Sequence, residues 1–255
     1  MFEARHLVKR FSGTTVVNDV SFLVRPGEIV GYLGPNGSGK STTAKMLTGL
    51  VEPTAGQVLF NGVDIDADPI GFRRRLGYVP EEPSLYPFLS GREYLELVGR
   101  LRELKPAAMD RKIAALLALL GLDEAAEQSI ASYSKGMKQK ILIIGALLHN
   151  PDAIVFDEPE SGLDVTSALV LRHLVTTLAS RGKAVLYSSH ILEVVEKLCT
   201  RVIVLDAGRV VADEAPERLR RLAATTSLEQ VFAQLVLRKD PERTARDIAD
   251  VVADA

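Results

Sequence analysis

Two kinds of hydrophobic pattern divide the chain. Short apolar or alternating runs bounded by Gly, Pro or Asn predict strands, and they occupy residues 21–25, 28–33, 58–60, 76–79, 153–156, 184–187 and 202–205. Residues 84–149 instead repeat apolar side chains at helical spacing. The last three runs are apolar throughout, which is typical of parallel strands buried on both faces of a sheet. The pattern therefore predicts an α/β core that contains a helical insertion.

Local signals mark turns and helix ends. Asn61-Gly62 predicts a hairpin turn, and Asp164 is placed to cap the helix that follows it. Ser227 and Gln230 fit a capping box in front of the apolar stretch 231–237. Within the insertion, one helical face is predicted to hold Leu95, Val98 and Leu101, and another to hold Ile113, Leu116, Leu117 and Leu120, ending at Gly121.

The composition narrows the class of protein. The 255 residues carry 31 Lys and Arg against 33 Asp and Glu, and hydrophobic residues make up 47%, as in soluble globular domains. Because the charges nearly cancel, we expect no broad nucleic-acid-binding face. The apolar runs are shorter than the ~20 residues of a membrane-spanning helix, and the first residues lack the apolar core of a signal peptide. These features predict a cytoplasmic protein whose single Cys199 forms no intrachain disulfide.

A glycine-rich segment carries the strongest chemical signal. Residues 34–41 match the pattern G-x-x-x-x-G-K-[ST] and lie between a predicted strand and a predicted helix. In such a loop the backbone N–H groups surround phosphate oxygens, and the helix N-terminus adds positive potential. Lys40 would reach the β- and γ-phosphates, and the Ser41 hydroxyl would ligate Mg²⁺. The predicted ATP-binding residues here are Gly34, Pro35, Asn36, Gly37, Ser38, Gly39, Lys40, Ser41 and Thr42.

Two carboxylates follow the strand at residues 153–156. Asp157 and Glu158 stand at the carboxyl end of an apolar run, where open α/β sheets bind ligands. Together with the glycine-rich loop, Asp157 is predicted to hold Mg²⁺ directly or through water. Glu158 is predicted to orient or deprotonate the water that attacks the γ-phosphate. Together with the glycine-rich loop, the two residues therefore predict a site that hydrolyses a nucleotide.

Further segments follow the glycine-rich loop in a fixed order. They are Ser134-Lys-Gly136, Val-Phe-Asp157-Glu158-Pro, Ser161-Gly-Leu-Asp164 and Ser188-Ser-His190. Over residues 1 to about 220, this order resembles the nucleotide-binding subunit of ATP-binding cassette (ABC) transporters. Tyr133 to Lys138 and the later Ser-Leu-Glu-Gln-Val-Phe resemble the ABC-2 type, in which the permease is a separate chain.

The resemblance implies a fold and a division into domains. The expected fold is an α/β phosphate-loop NTPase with a RecA-like core, an antiparallel β subdomain and an inserted α-helical subdomain. Residues 1–220 would form the nucleotide-binding domain, with the helical subdomain at about 84–149. Residues 221–255 would form a C-terminal helical extension or tail.

The resemblance also implies roles for individual residues. Phe11 would stack on adenine, and His190 would contact the γ-phosphate and join Glu158 and Lys40 as a catalytic residue. Asp164 would lie in a loop that crosses a dimer interface; alternatively, it is only the helix cap. The family's signature sequence, which caps the γ-phosphate of ATP bound to the opposite subunit, would comprise Ser134, Lys135, Gly136 and Met137. The alternative for Ser134 is a simple helix cap.

Several positions depart from the family's usual sequence. Glu81 follows Tyr-Val-Pro, where Gln is the frequent ligand of Mg²⁺ and water. Because a carboxylate also ligates Mg²⁺, the predicted metal ligands are Ser41, Glu81 and Asp157. Lys135 and Met137 replace residues of the commoner Leu-Ser-Gly-Gly-Gln signature. Glu160 stands where Thr or Ser is frequent, and the sequence offers no physical account of it.

The implied function is that of an ATPase within a larger assembly. Two nucleotide-binding subunits, identical or related, would close head to tail around two ATP molecules and power a separate membrane permease, in an export system. The permease would hold the protein at the inner face of the cell membrane, and ATP and Mg²⁺ are the expected cofactors. One alternative is a soluble ABC ATPase of a cytoplasmic assembly system. Another is a nucleic-acid-associated ABC ATPase, which typically carries two cassettes or long coiled-coil insertions.

Overall fold

Two β-sheets organise the part of the chain that the computed structural model describes, residues 1–236, 246 and 252. The strands are β1 (Phe2–Phe11), β2 (Thr14–Val24), β3 (Ile29–Leu33), β4 (Ala55–Phe60), β5 (Val63–Asp64), β6 (Leu76–Val79), β7 (Ala153–Asp157), β8 (Ala184–Ser188), β9 (Arg201–Asp206) and β10 (Arg209–Glu214). The helices are α1 (Lys40–Leu47), α2 (Pro69–Arg75), α3 (Gly91–Leu101), α4 (Pro106–Leu119), α5 (Lys135–Leu147), α6 (Val165–Ser180), α7 (Leu192–Leu198), α8 (Pro216–Leu222) and α9 (Leu228–Val236).

The first sheet is antiparallel and follows the order β2-β1-β4-β5. The predicted turn at residues 61–62 joins β4 to β5, with φ values of 51° and 82°, as a two-residue hairpin requires. The sequence pattern does not predict β1, because a bulge interrupts its alternation: the register shifts between Ala4 and Leu7, and His6 has a φ of 48°. The bulge allows Phe2, Ala4 and Leu7 all to be buried.

The second sheet has the order β10-β9-β3-β8-β7-β6, and its strands run parallel from β9 to β6. Every residue of β3, β7 and β8 is buried, which confirms the prediction of parallel strands covered on both faces. The predicted bounds of the parallel strands agree with the observed bounds to within one residue at either end. The pattern misses the antiparallel edge strand β10, whose residues are all exposed or half-buried.

The helical insertion lies between β6 and β7 and has its own core, which includes Leu95, Ile113 and Ile141. The predicted apolar face of α4 is confirmed. Its members Ile113 and Leu117 are buried, and Leu116 and Leu120 are half-buried against the same core.

Two expectations about the insertion were wrong. Residues 84–89 contain no helix; the first helix, α3, begins at Gly91 behind a capping box formed by Ser90 and Glu93. Leu101 is 72% exposed, because it is the last residue of α3. The buried face of α3 is completed instead by Gly99, which packs closely against Met109.

Short helices follow β10. Glu196 of α7 accepts hydrogen bonds from Arg220 of α8 at 2.7 Å and from the Leu228 N–H of α9 at 3.0 Å. Ser227 Oγ accepts a hydrogen bond from the Gln230 N–H at 3.3 Å, so Ser227 caps the helix as predicted. The predicted capping box is only half formed, because the Gln230 side chain accepts from the Thr226 N–H at 3.1 Å instead of from that of Ser227. Leu237 and residues 238–255, predicted as the end of the apolar stretch and a tail, lie outside the described residues except for 246 and 252.

The helices of the described part are of ordinary globular length. The longest of them, α6, spans 16 residues. None of the helices in residues 1–236 is long and apolar enough to cross a membrane.

Candidate active site

Most of the predicted site residues lie together at the carboxyl-terminal edge of the parallel sheet. β3 leads into the glycine-rich loop, β7 ends at Asp157, and β8 ends at Ser188, which pairs directly with Asp157. Parallel strands place their carboxyl ends at one edge, where α/β proteins bind ligands. A cavity of about 320 Å³ opens there, lined by Val16, Asn36, Gly37, Gly39, Lys40, Ser41, Thr42, Glu81, Asp157 and Glu158.

The glycine-rich loop adopts backbone conformations that other residues rarely take. Gly37 and Gly39 have φ values of 79° and 102°, in the left-handed region. A Cβ on Gly39 would lie 2.8 Å from the carbonyl oxygen of Val16, so the loop also needs glycine for its close approach to β2. No side chain caps α1, which begins at Lys40. Its first N–H groups therefore lack a side-chain partner, as at the anion-binding N-termini of helices.

Lys40 is a half-buried cation at the start of α1. Its Nζ donates hydrogen bonds to the carbonyl oxygens of Gly34 at 2.7 Å and Pro35 at 3.1 Å. Burial lowers the pKa of Lys40, and the negative charges of the cavity's carboxylates oppose that shift. A phosphate group bound in the loop would meet this ammonium group.

The opposite wall of the cavity is acidic. Asp157 is 2% exposed, and the Ser188 hydroxyl donates a hydrogen bond to its Oδ1 at 2.6 Å. Burial raises the pKa of Asp157, the Ser188 hydrogen bond opposes this, and two neighbouring carboxylates raise it further. Ser41 Oγ donates to Glu81 Oε2 at 3.3 Å. The three predicted metal ligands therefore all line this cavity.

These ligands fit Mg²⁺ in combination with a nucleotide. In the described part of the chain, no three Asp, Glu, His or Cys side chains converge as a metal site. A divalent cation held by two carboxylates and one hydroxyl would complete its coordination with phosphate oxygens and water. This arrangement is typical of Mg²⁺, which is usually bound through one or two carboxylates plus substrate phosphates.

Glu158 has a strained backbone beside the cavity. Its φ of 49° lies in the left-handed region, which costs a residue with a side chain ~1–2 kcal/mol. The Glu158 N–H donates to Ser188 Oγ at 3.1 Å, and Gln139 Nε2 donates to the Pro159 carbonyl oxygen at 3.0 Å. His190 Nδ1 lies 2.7 Å from Glu158 Oε2. Contacts from several elements therefore hold the conformation of this residue.

The predicted signature residues form a separate surface. Ser134 caps α5 by accepting a hydrogen bond from the Met137 N–H at 3.2 Å, and Lys135 and Gly136 open that helix. A Cβ on Gly136 would lie 2.6 Å from the carbonyl oxygen of Gly162. The start of α5 therefore packs against the loop that precedes α6. None of the signature residues lines the cavity.

Asp164 lies next to this surface and caps α6. It accepts hydrogen bonds from the Ser167 N–H at 2.9 Å and from the Ser167 hydroxyl at 2.6 Å. These hydrogen bonds lower the pKa of Asp164. The predicted cap is confirmed, and the residue is also exposed at the start of the helix.

The cavity does not include every predicted residue. Phe11 lies at the end of β1, is 46% exposed, and has Lys9 Nζ 5.1 Å from its ring centre. His190 does not line the cavity, but it contacts Glu158, which does. Besides Asp164 and the signature residues, the remaining predicted residues outside the cavity lining are Gly34, Pro35 and Ser38 of the glycine-rich loop.

The sequence interpretation also missed residues that shape the site. Val16 lines the cavity, but an apolar residue in a strand carries no chemical signal. Ser188 lies in the segment Ser188-Ser-His190, which was used only to assign His190. Its position directly after an apolar strand is the signal that could have found it. Gln139 was missed, and Glu160 was noted without a role, because their hydrogen-bond partners are distant in sequence.

Known proteins are similar to this chain in both sequence and fold. Residues 17–161 match the ABC transporter family. The chain is 36% identical over 223 residues to the ABC transporter ATP-binding protein NatA of Bacillus subtilis, over 87% of this chain and 91% of NatA. It is 38% identical to the Nod factor export ATP-binding protein I of Burkholderia lata, over 84% of this chain and 71% of that protein.

Solved structures agree with the sequence matches. An ATP-binding subunit of an ABC transporter superposes with a TM-score of 0.87 and 34% identity, over 92% of this chain and 99% of that chain. A dimeric ATP-binding cassette in a post-hydrolysis state, bound to ADP and Pi, superposes with a TM-score of 0.78 and 25% identity, over 84% and 98%.

The chain therefore belongs to the ABC transporter family. It is an ATP-binding subunit that hydrolyses ATP and uses Mg²⁺. The α/β phosphate-loop NTPase fold expected from the sequence is confirmed. Subunits of this kind pair with each other and with membrane permease components.

Proposed function

We propose that this chain and a second nucleotide-binding subunit, identical or related, close head to tail around two ATP molecules. The separation of the two surfaces carries the proposal: the cavity contains the phosphate-binding loop and the carboxylates, whereas Ser134 to Met137 lie outside it. One chain therefore supplies only part of the groups needed to enclose a γ-phosphate. Ser134 and Gly136 of the second subunit would supply the rest, at the start of α5. Hydrolysis would remove these contacts and allow the pair to open.

Within one subunit, each predicted residue has a distinct role. Lys40 would bind the β- and γ-phosphates together with the loop N–H groups. Bound Mg²⁺ would neutralise charge on the phosphates, held by Ser41, Glu81 and Asp157. Glu158 would orient the attacking water or accept its proton.

Two further residues would contact other parts of ATP. Because Glu158 engages Nδ1 of His190, Nε2 is the ring nitrogen left for the γ-phosphate. Phe11, exposed at the end of β1, would stack on adenine. Asp164, next to the signature surface, would lie at the interface between subunits while it caps α6.

The partner would be a separate permease of an export system, which would hold the chain at the inner face of the cell membrane. The ABC-2 resemblance supports this, and so do the relatives that are named for Nod factor export and, at 37% identity over 83% of this chain, for linearmycin resistance. A cavity of about 580 Å³ near Glu81, lined by Leu50 and Tyr94 among others, would receive a cytoplasmic helix of the permease. Residues 1–220 would act as the nucleotide-binding domain, with the helical subdomain at about 84–149 and an extension at 221–255.

The dimer is tested by measuring molar mass in solution. We expect Glu158→Gln, which should bind ATP without turnover, to be monomeric without nucleotide and dimeric with Mg²⁺ and ATP. Adding Ser134→Asp keeps a good helix cap but places a negative charge opposite the γ-phosphate, so this double variant should bind ATP and stay monomeric. The proposal is contradicted if Glu158→Gln stays monomeric at saturating ATP, or if the double variant with Ser134→Asp still forms a dimer.

The permease partner needs a second experiment. A pull-down of the tagged chain from its native cells in mild detergent, with mass identification, should recover a polytopic membrane protein. Recovery of soluble partners alone contradicts the transporter assignment and favours a soluble ABC ATPase of a cytoplasmic assembly system.

A further inference from the structure

Glu160 lies in a compact cluster with Arg172 and Tyr187, which we call the Glu160 clamp. Arg172 contacts both oxygens of the carboxylate, with Nε 2.8 Å from Oε1 and Nη2 2.6 Å from Oε2. The Tyr187 hydroxyl donates to Oε1 at 2.7 Å. The Glu160 side chain is 9% exposed and that of Arg172 is 33% exposed. Bidentate pairs of this kind fix geometry as well as adding energy.

The clamp joins segments of the chain that carry the active site. Glu160 follows β7, Tyr187 lies in β8, and Arg172 lies in α6. The exits of β7 and β8 are thus cross-linked by the clamp in addition to two contacts nearer the cavity. Those contacts are Ser188 Oγ to Asp157 Oδ1 at 2.6 Å and His190 Nδ1 to Glu158 Oε2 at 2.7 Å.

Glu158 is the residue that this cross-link affects most directly. Its φ of 49° is unfavourable, and such conformations persist only when the surroundings hold them. Only Pro159, whose ring restricts its own φ, separates Glu158 from Glu160. Gln139 holds the Pro159 carbonyl oxygen from one side, and the clamp holds the next residue. Without the clamp, the strained segment would be free to relax and move the Glu158 carboxylate.

We propose that Glu160 is a positioning residue for Glu158 and acts through Arg172 and Tyr187. The proposal rests on the function proposed above, in which Glu158 orients the attacking water. The clamp affects turnover rather than nucleotide binding, because none of its residues lines the nucleotide cavity. It also gives Glu160 a physical role that the sequence alone did not.

The first test compares two matched substitutions in the full chain. Glu160→Gln keeps the shape of the side chain and removes the charge that Arg172 binds. We expect kcat for ATP hydrolysis to fall about tenfold, as expected for displacement of a catalytic group by a fraction of an ångström, while the KM for ATP changes less than about twofold. The control is Glu28→Gln, because Glu28 is 15% exposed and bonded to Arg201 at 2.7 Å at the opposite edge of the sheet. It should lower the melting temperature but keep the wild-type kcat.

Two milder variants keep the test decisive if Glu160→Gln does not fold. Tyr187→Phe removes one hydrogen bond, and Arg172→Lys keeps the charge without the bidentate contact, so each should lower kcat by about 2- to 5-fold at unchanged KM. The proposal is overturned if these variants keep the wild-type kcat, if Glu28→Gln loses as much kcat as they do, or if only KM changes. Glu158→Gln is measured alongside: if it also retains kcat, the role of Glu158 is wrong rather than the clamp geometry.

Discussion

His190 Nδ1 lies 2.7 Å from Glu158 Oε2, and the two side chains differ sharply in exposure. The Glu158 side chain is 13% exposed, whereas that of His190 is 77% exposed. The enclosed carboxylate is held in place by the surrounding chain, and the open imidazole has room to meet a phosphate. This combination suits a site in which one group is preorganised and the other completes the site on nucleotide binding.

Glu158→Gln should separate ATP binding from hydrolysis. We expect ATP affinity to stay within about twofold of wild type and turnover to fall at least about 100-fold, because loss of a general base typically costs that much or more. Phosphate release and titration with a fluorescent ATP analogue measure the two quantities. Glu103→Gln changes an exposed carboxylate of the insertion and should keep the wild-type rate. Near-normal hydrolysis by Glu158→Gln would remove Glu158 from its assigned role.

Lys40→Ala should weaken nucleotide binding. The variant loses a cation that would form charge-assisted hydrogen bonds to phosphate, which corresponds to about 10- to 100-fold in affinity. The same fluorescence titration measures the effect. Lys45→Ala is the matched control, because Lys45 is an exposed lysine on the same helix and should leave the affinity unchanged. Equal affinities for the two variants would contradict the phosphate-binding role of Lys40.

Ser188→Ala should reduce the stability of the folded protein. Ser188 is 5% exposed, donates to Asp157 and accepts from the Glu158 N–H. Its loss leaves buried groups unsatisfied, so the free energy of unfolding should fall by about 1–3 kcal/mol. Denaturant unfolding measures the change. Ser180→Ala removes an exposed hydroxyl of α6 and should change stability by less than about 0.5 kcal/mol; similar values for both variants would count against the Ser188 network.

His149 should make the folded protein sensitive to acid. Its Nε2 lies 2.9 Å from the Leu76 carbonyl oxygen. Burial, and then the positive charge of Arg102, lower the pKa of His149 to about 4 from its ordinary 6.5. Between these values the unfolded chain binds a proton more readily than the folded protein. The stabilisation that comes from keeping His149 neutral is therefore complete above pH 6.5. It declines as the pH falls below 6.5 and is fully lost once the pH has fallen through the folded-state pKa of about 4.

His149→Gln should flatten this pH dependence. We expect the loss of unfolding free energy between pH 7.5 and 4.5 to be smaller than in wild type by ~1–2 kcal/mol, allowing for solvent screening of a half-buried group. Urea unfolding at pH 7.5, 6.0 and 4.5 measures it. His173→Gln, at an exposed position of α6, should retain the wild-type dependence. An unchanged slope in His149→Gln would contradict the assignment.

The residues that meet in the candidate site were largely predictable from the sequence. Lys40 and the glycines around it form a local pattern, because phosphate binding needs consecutive backbone N–H groups and left-handed φ values at Gly37 and Gly39. Asp157 and Glu158 follow an apolar run that predicts a parallel strand, and parallel strands end at one edge. The meeting of these residues in one cavity therefore followed from local signals and a general rule of topology.

By itself, then, the sequence determined the strands that are buried on both faces, because such strands need uninterrupted apolar runs. It also determined the local pattern of the residues that we propose to bind phosphate. Only the tertiary structure decided where irregular backbone breaks the pattern, as at His6 in β1. It also decided the role of Glu160, whose partners Arg172 and Tyr187 lie 12 and 27 residues away in other elements. A contact between distant segments depends on how helices and strands pack, and no local spacing records it.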